Sequence, residues 1–205
     1  MTRLIIVRHA EPDAMRGRIY GRLDPPLSPT GRAQAERVAL WLQPAPLDAV
    51  YASPLRRARE TAGFLVRERG IEMAIHPGLV DIDFGEWEGR RFDELERSDP
   101  ELYRSWMTQP TRTRFPGGEN FGELQARVLA AVGEIRRETA SAALVAHAGV
   151  NRVILGSALG LADDAIFRLD QPLAAVSVVD WIEEAPIVRA VNLSLESAAW
   201  LAPSS

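Results

Sequence analysis

The sequence predicts an α/β protein, a three-layer sandwich in which helices cover both faces of a mostly parallel sheet. Three observations carry that expectation. Short apolar, β-branched runs alternate with helical periods along the chain. Two of those runs, LIIVRH (4–9) and ALVAHAG (143–149), stop abruptly on a histidine. A third, AVYASPLRRA (49–58), carries Arg56 and Arg57 just past its end.

Residues 4–8 read as a buried strand, short and continuous. Pro12, Gly17, Gly21, Pro25, Pro26 and Pro29 then mark a long loop. Thr30 is placed to cap a helix carrying Ala33, Val38, Leu40 and Trp41, which ends before Pro44. A second strand is expected over 48–53. The helix after it is opened by Pro54 and closed by Gly70. Residues 71–76 alternate as a third strand. From Asp81 to Pro116 the chain turns rich in charge and aromatics, with helical patches at 91–97 and 99–107. That composition suits a lid, inserted at about 85–118 into a single domain spanning 1–205. A long amphipathic helix is expected from about Glu119, a strand in SAALVAHAG (141–149), a helix from about Val150, and two late strands at 175–182 and 187–194.

The formal net charge is −4, so the field of the whole molecule does not attract nucleic acid or anionic lipid, and neither is expected as a partner. An anionic ligand must be held by a local cluster of cations. All 24 basic residues are Arg, which excludes Schiff-base chemistry at lysine. The absence of Cys excludes thiol catalysis and thiolate metal sites. No run reaches the roughly 18 apolar residues of a membrane span, and the N-terminal apolar run is too short for a signal peptide. A cytoplasmic protein is expected.

In a parallel sheet the ends of the first, second and fourth strands share one edge, where open α/β sheets bind ligands. His9, His147 and at least two arginines then converge, a set suited to a dianion such as phosphate. Arg8 beside His9 disfavours imidazolium and leaves a neutral nucleophile able to attack phosphorus. His76, before Pro77 and without a polar cluster, belongs to the surface. With three scattered histidines and no H-x-x-H pair, no metal centre is expected.

RHAEP (8–12), GRLDPPLSPTGRAQA (21–35), SPLRRARETA (53–62), DFGEWEG (83–89), PGGENF (116–121) and VAHAG (145–149) resemble, in order and spacing, the histidine phosphatase superfamily, also called phosphoglycerate-mutase-like. The resemblance covers roughly residues 4–160. It implies a nucleophile at His9 and a phosphate pocket of Arg8, Arg57 and His147, the arginine directly before Ala58 being selected over Arg56. It implies a carboxylic proton donor at Asp81, with Glu86 the alternative, and assigns Gly21 and Arg22 to substrate binding. It implies no cofactor and no metal. The sequence departs from the family pattern at Ala10, Pro12, Met15 and Asp81, where Gly, Thr, Asn and Glu are usual. Length and the PGGENF block resemble the phosphatase branch, with α-ribazole 5′-phosphate or other small phosphomonoesters as implied substrates. A phosphoglycerate mutase and a non-catalytic phosphoryl-binding module remain the alternatives. Trp87, Phe92, Trp106, Met107 and Phe115 are expected either to wall the pocket or to glue the lid down.

Overall fold

The computed structural model describes residues 1–67 and 69–193. Its sheet has six strands: β1 (Thr2–Arg8), β2 (Ala49–Ala52), β3 (Met73–Ile75), β4 (Ser141–Ala146), β5 (Val176–Ile182) and β6 (Ala185–Leu193), in the order β3-β2-β4-β1-β5-β6. The pairs β3–β2, β2–β4 and β4–β1 are parallel, whereas β5 and β6 add antiparallel at one side. The mostly parallel sandwich is therefore the observed fold.

The apolar run of β1 explains its central place. Leu4, Ile5, Ile6 and Val7 are all buried, which requires cover on both faces of the sheet. Side chains alternate across a strand, so Leu4 and Ile6 enter one core with Leu144 while Ile5 and Val7 enter the other with Val145. The first core is closed by α5 (Phe121–Glu138) and α6 (Ala148–Leu159) through Leu124, Val128, Ile135, Val150 and Ile154. The second is closed by α1 (Pro29–Leu42) and α2 (Arg56–Val66) through Val38, Leu42, Ala58, Ala62 and Leu65. Two short helices, α3 (Phe92–Ser98) and α4 (Pro100–Thr108), fall in the aromatic-rich stretch.

Element boundaries differ from expectation where caps decide them. Ser28, not Thr30, caps α1: its Oγ accepts from the Gly31 amide at 2.9 Å and Pro29 takes the first helical position. Helix α2 starts at Arg56 rather than Pro54, and β3 is shorter than 71–76. Asn120 caps α5, with Glu123 reaching back to its amide, so the helix starts at Phe121. Helix α6 follows His147 at once, two residues before Val150. Residue 194, the expected end of the last strand, and Glu68, within the stretch expected to be helical between Pro54 and Gly70, lie outside the described residues. Among the described residues, no helix is long and apolar enough to cross a membrane.

The sheet also buries one carboxylate. Asp180 on β5 is 1 % exposed and receives Arg3 Nε at 2.7 Å and Arg189 Nε at 2.9 Å. These hydrogen bonds hold its pKa down at about 2. A folded value below the unfolded one gives stability that is complete above about pH 4 and lost as pH falls toward 2. Asp180→Asn is expected to remove that acid-limb slope and cost about 1 kcal/mol near neutrality, a small figure because both arginines are half exposed. Urea unfolding across the acid range checks it; an unchanged slope refutes it.

Candidate active site

The parallel register sets the site. Arg8 pairs with Ala146 and Ala52 with Val145, so β1, β4 and β2 end together and deliver His9, His147 and Ser53 to one edge. The His9 amide donates to the Ala146 carbonyl at 2.9 Å and the Ser53 amide to the Val145 carbonyl at 3.0 Å, which fixes these residues as rigidly as the strands themselves.

His9 is buried at 1 % exposure, with Nδ1 lying 2.8 Å from the Ala10 carbonyl oxygen. A carbonyl only accepts, so Nδ1 carries the proton and Nε2 presents a lone pair. Burial first, then the charges of Arg57 and Arg8, hold its pKa well below the usual value. The ring is thus neutral; the cationic neighbour read from the sequence acts in the expected direction, but desolvation is the larger cause.

Arg57 has no exposed surface. Its Nε faces His9 Nε2 at 3.3 Å, Nη1 donates to the Leu23 carbonyl at 2.6 Å, and Nη2 donates to the Gly21 carbonyl at 2.9 Å. The loop that supplies those carbonyls is tied down by Glu88. Its carboxylate accepts from the amides of Gly21, Arg22, Leu23 and Phe84, four donors in all. Gly21 is required here, because a Cβ would lie 1.9 Å from the Ile82 carbonyl oxygen. Glu88 falls within the DFGEWEG block, with no role assigned to it from the sequence. Three of the four amides that it binds lie more than 60 residues back along the chain, and main-chain donors leave no mark in a sequence pattern.

His147 is also fully buried, and its Nε2 lies 2.7 Å from Ser53 Oγ. Its Nδ1 faces Asp81 Oδ2 at 3.6 Å and has no hydrogen-bond partner. With Ser53 donating to Nε2, the proton sits on Nδ1 and points toward the carboxylate rather than setting a lone pair against it. Burial and the charges of Arg57, His9 and Arg8 push the His147 pKa well down. Asp81 Oδ2 lies 3.5 Å from Arg57 Nη2, and Oδ1 accepts from the Ile82 amide at 3.0 Å. Burial raises the Asp81 pKa and outweighs the opposing charges of Arg57, Arg8 and Arg127. Arg8 donates through Nη1 to the Gln171 carbonyl, and its Nε is buried without a partner. The orphaned donors Arg8 Nε and His147 Nδ1 mark a place prepared for acceptor oxygens.

His9, Asp81 and Arg8 line one part of a cavity of about 290 Å³. Phe84, Phe92, Trp106, Phe115 and Phe167 line another, with Trp106 in edge contact with Phe84, Phe115 and Phe167. Trp87 is buried against Trp106 and Phe115 outside the wall, and Met107 is exposed and outside it too. Glu86 is exposed and does not line the cavity. Neither do Gly21 and Arg22: Gly21 braces Arg57, and Arg22 pairs with Glu119 at 3.2 Å. Pro12 and Met15 are likewise outside the wall. His76, half-buried and remote from these groups, accepts from the Gly78 amide through Nδ1 and meets Glu134 at 3.1 Å.

Two buried imidazoles stand among guanidiniums at the carboxyl edge of a parallel sheet, a donor set in an α/β protein that suits an anion. The chain belongs to the histidine phosphatase superfamily (branch 1), whose sequence model matches residues 4–194. It is 30% identical over 197 residues to phosphoserine phosphatase 1 of Hydrogenobacter thermophilus, covering 95% of this chain and 93% of that one. Its fold is similar to the α-ribazole phosphatase of Shigella flexneri, with TM-score 0.84, 26% identity and coverage of 94% and 96%. It is similar too to a mycobacterial glucosyl-3-phosphoglycerate phosphatase in complex with VO3, with TM-score 0.86, 26% identity and coverage of 95% and 100%.

Nitrogen-resolved NMR of the histidine rings checks the electrostatics. His9 is expected to hold the Nδ1–H tautomer and remain neutral at and below the ordinary imidazole pKa of 6.5, because burial holds its own pKa well below that value. An imidazolium signal for His9 at about pH 6 would contradict the burial argument.

Proposed function

We propose that the chain is a metal-independent phosphomonoester hydrolase that works through a covalent phosphohistidine at His9, with Asp81 as proton donor. The observation that supports this most directly is the pairing of opposite pKa shifts around one cavity: an imidazole kept neutral beside a carboxyl biased toward its protonated form.

In this mechanism His9 Nε2 attacks phosphorus as the P–O bond to the alcohol breaks. Arg8, Arg57 and His147 donate to the three remaining phosphoryl oxygens, where charge is spread in the transition state. Asp81 gives its proton to the departing oxygen. Asp81, now ionised, then takes a proton from water as that water attacks the phosphohistidine, releasing phosphate and restoring His9. The substrate dianion raises the Asp81 pKa further, so activity falls as pH rises through that value and falls again once His9 is protonated. An optimum on the acidic side of neutrality follows.

Residues 85–118 act as the lid of one catalytic domain, and Phe92, Trp106 and Phe115 set the alcohol side of the specificity. Apolar aromatic walls favour a small phosphomonoester whose alcohol carries a ring, a class that includes α-ribazole 5′-phosphate.

Two variants test the mechanism. His9→Ala is expected to lower kcat for p-nitrophenyl phosphate by about 10³-fold or more, and wild-type protein quenched in alkali should carry phosphate on His9 that acid releases. Wild-type turnover in the variant would end the proposal. Asp81→Asn is expected to slow alkyl phosphates at least about 100-fold more than dinitrophenyl phosphate, whose leaving group departs as an anion unaided. Equal losses for both would show that Asp81 only positions the phosphate, and a selective defect in Glu86→Gln instead would transfer the acid to Glu86.

A further inference from the structure

Arg152 lies one turn into α6, and its side chain forms part of the cavity wall with His9 and Asp81. Its Nε donates to the Leu169 carbonyl at 2.8 Å, and its Cζ lies 5.3 Å from the centre of the Phe167 ring. Those two contacts aim the guanidinium and leave its fork unspent. Among the described residues, neither Nη group has a hydrogen-bond partner and no carboxylate forms an ion pair with Arg152.

Apart from Arg8, whose orphaned Nε belongs to the His9 end of the cavity, the other arginines turned inward are engaged. Arg57 gives its Nη groups to carbonyls of the loop at 21–23 and turns Nε to His9. Arg127 binds the carbonyls of Gly78 and Val80 and the Glu119 carboxylate. Arg3 and Arg189 share Asp180. Arg18, at the same cavity, donates through Nη1 to the Gly89 carbonyl and is exposed to water. Arg152 stands apart as a half-buried cation against an apolar ring, disfavoured there by desolvation and by the charge of Arg8. Asp170 and Asp81 act on it favourably from beyond ion-pair distance. Asp170 accepts from the Gln171 amide instead. A cation so placed lacks the counter-charge that buried charges ordinarily have.

We propose that Arg152 is a specificity residue that binds an anionic group, a carboxylate or a second phosphoryl, carried on the alcohol portion of the substrate. The proposal rests on reading the His9 end of the cavity as the phosphoryl site. A forked guanidinium matches either anion with two parallel hydrogen bonds, and the low-dielectric aromatic wall strengthens them. The alcohol then presents an apolar body to Phe84, Trp106 and Phe115 and a negative group to Arg152.

Binding of phosphonates, which have no ester bond to cleave, tests this without turnover. Benzylphosphonate and its 3- and 4-carboxylated forms are titrated into wild-type protein and Arg152→Met by calorimetry. One carboxylated isomer is expected to bind wild-type protein about tenfold tighter than benzylphosphonate, and that advantage should vanish in Arg152→Met. A structural role alone would weaken all three ligands equally and keep the ratio. No advantage in wild-type protein overturns the proposal without recourse to any variant, as does an advantage that survives Arg152→Met. Arg152→Lys, which keeps the charge and loses the fork, should retain part of the advantage and stands in if the Met variant does not fold. Hydrolysis of p-nitrophenyl phosphate, measured in parallel, separates the two readings. Carboxylate preference without hydrolysis would defeat the hydrolase reading alone, and hydrolysis without preference would defeat the role of Arg152 alone.

Discussion

The burial of one guanidinium organises this site. Arg57 has no exposed surface, so its charge must be met by oriented dipoles or its desolvation would cost several kcal/mol. The loop at 20–23 supplies carbonyls for that purpose. Carbonyls turn toward Arg57 only if the amides of the same residues find acceptors elsewhere, and Glu88 is the acceptor. A cation and a carboxylate thus hold opposite edges of one ribbon of backbone. Hydrogen bonds to charged groups contribute about 1.5–3 kcal/mol each, enough to order a loop rich in glycine and proline.

That arrangement also tunes its neighbours. Arg57 faces His9 and Asp81 at once, lowering the pKa of the first and opposing the rise of the second. Desolvation acts on both groups in the direction of neutrality and is the largest cause in each. An imidazole biased toward its neutral form and a carboxyl biased toward its protonated form thus share one site. Arginine suits the centre of such a site because its own pKa, lowered by burial, starts so high that it stays charged.

The cavity is chemically divided. Charged and hydrogen-bonding groups gather where β1 and β4 end, and aromatic rings gather around Trp106. The aromatic residues between 84 and 115 both wall the cavity and pack on one another: Phe92, Trp106 and Phe115 face the cavity while Trp87 packs behind them. Walling and packing coexist because an edge-packed aromatic cluster shows one surface to the core and another to the cavity.

Sequence alone determined the strand–helix alternation, the buried β1 and the arrival of His9 and His147 at strand ends. Each of these is written in local periodicity and in the abrupt end of an apolar run, and neither needs knowledge of a distant residue. Motif order then carried the family, and within SPLRRA it separated the buried Arg57 from Arg56, a distinction that composition does not contain. Helix starts were misplaced by two residues or so, because Ser28 and Asn120 act through single hydrogen bonds that compete closely with alternatives nearby. Only the tertiary structure decided what Glu88, Gly21, Ser53 and Arg152 do. Their partners lie at Gly21–Leu23, Arg57, His147 and Leu169, and contacts across such separations depend on how the layers pack rather than on any pattern along the chain. The pKa directions belong to the same category: a neighbouring arginine can be read from sequence, but the burial that dominates His9 and Asp81 exists only once the sheet, its helices and the aromatic cover have closed around them.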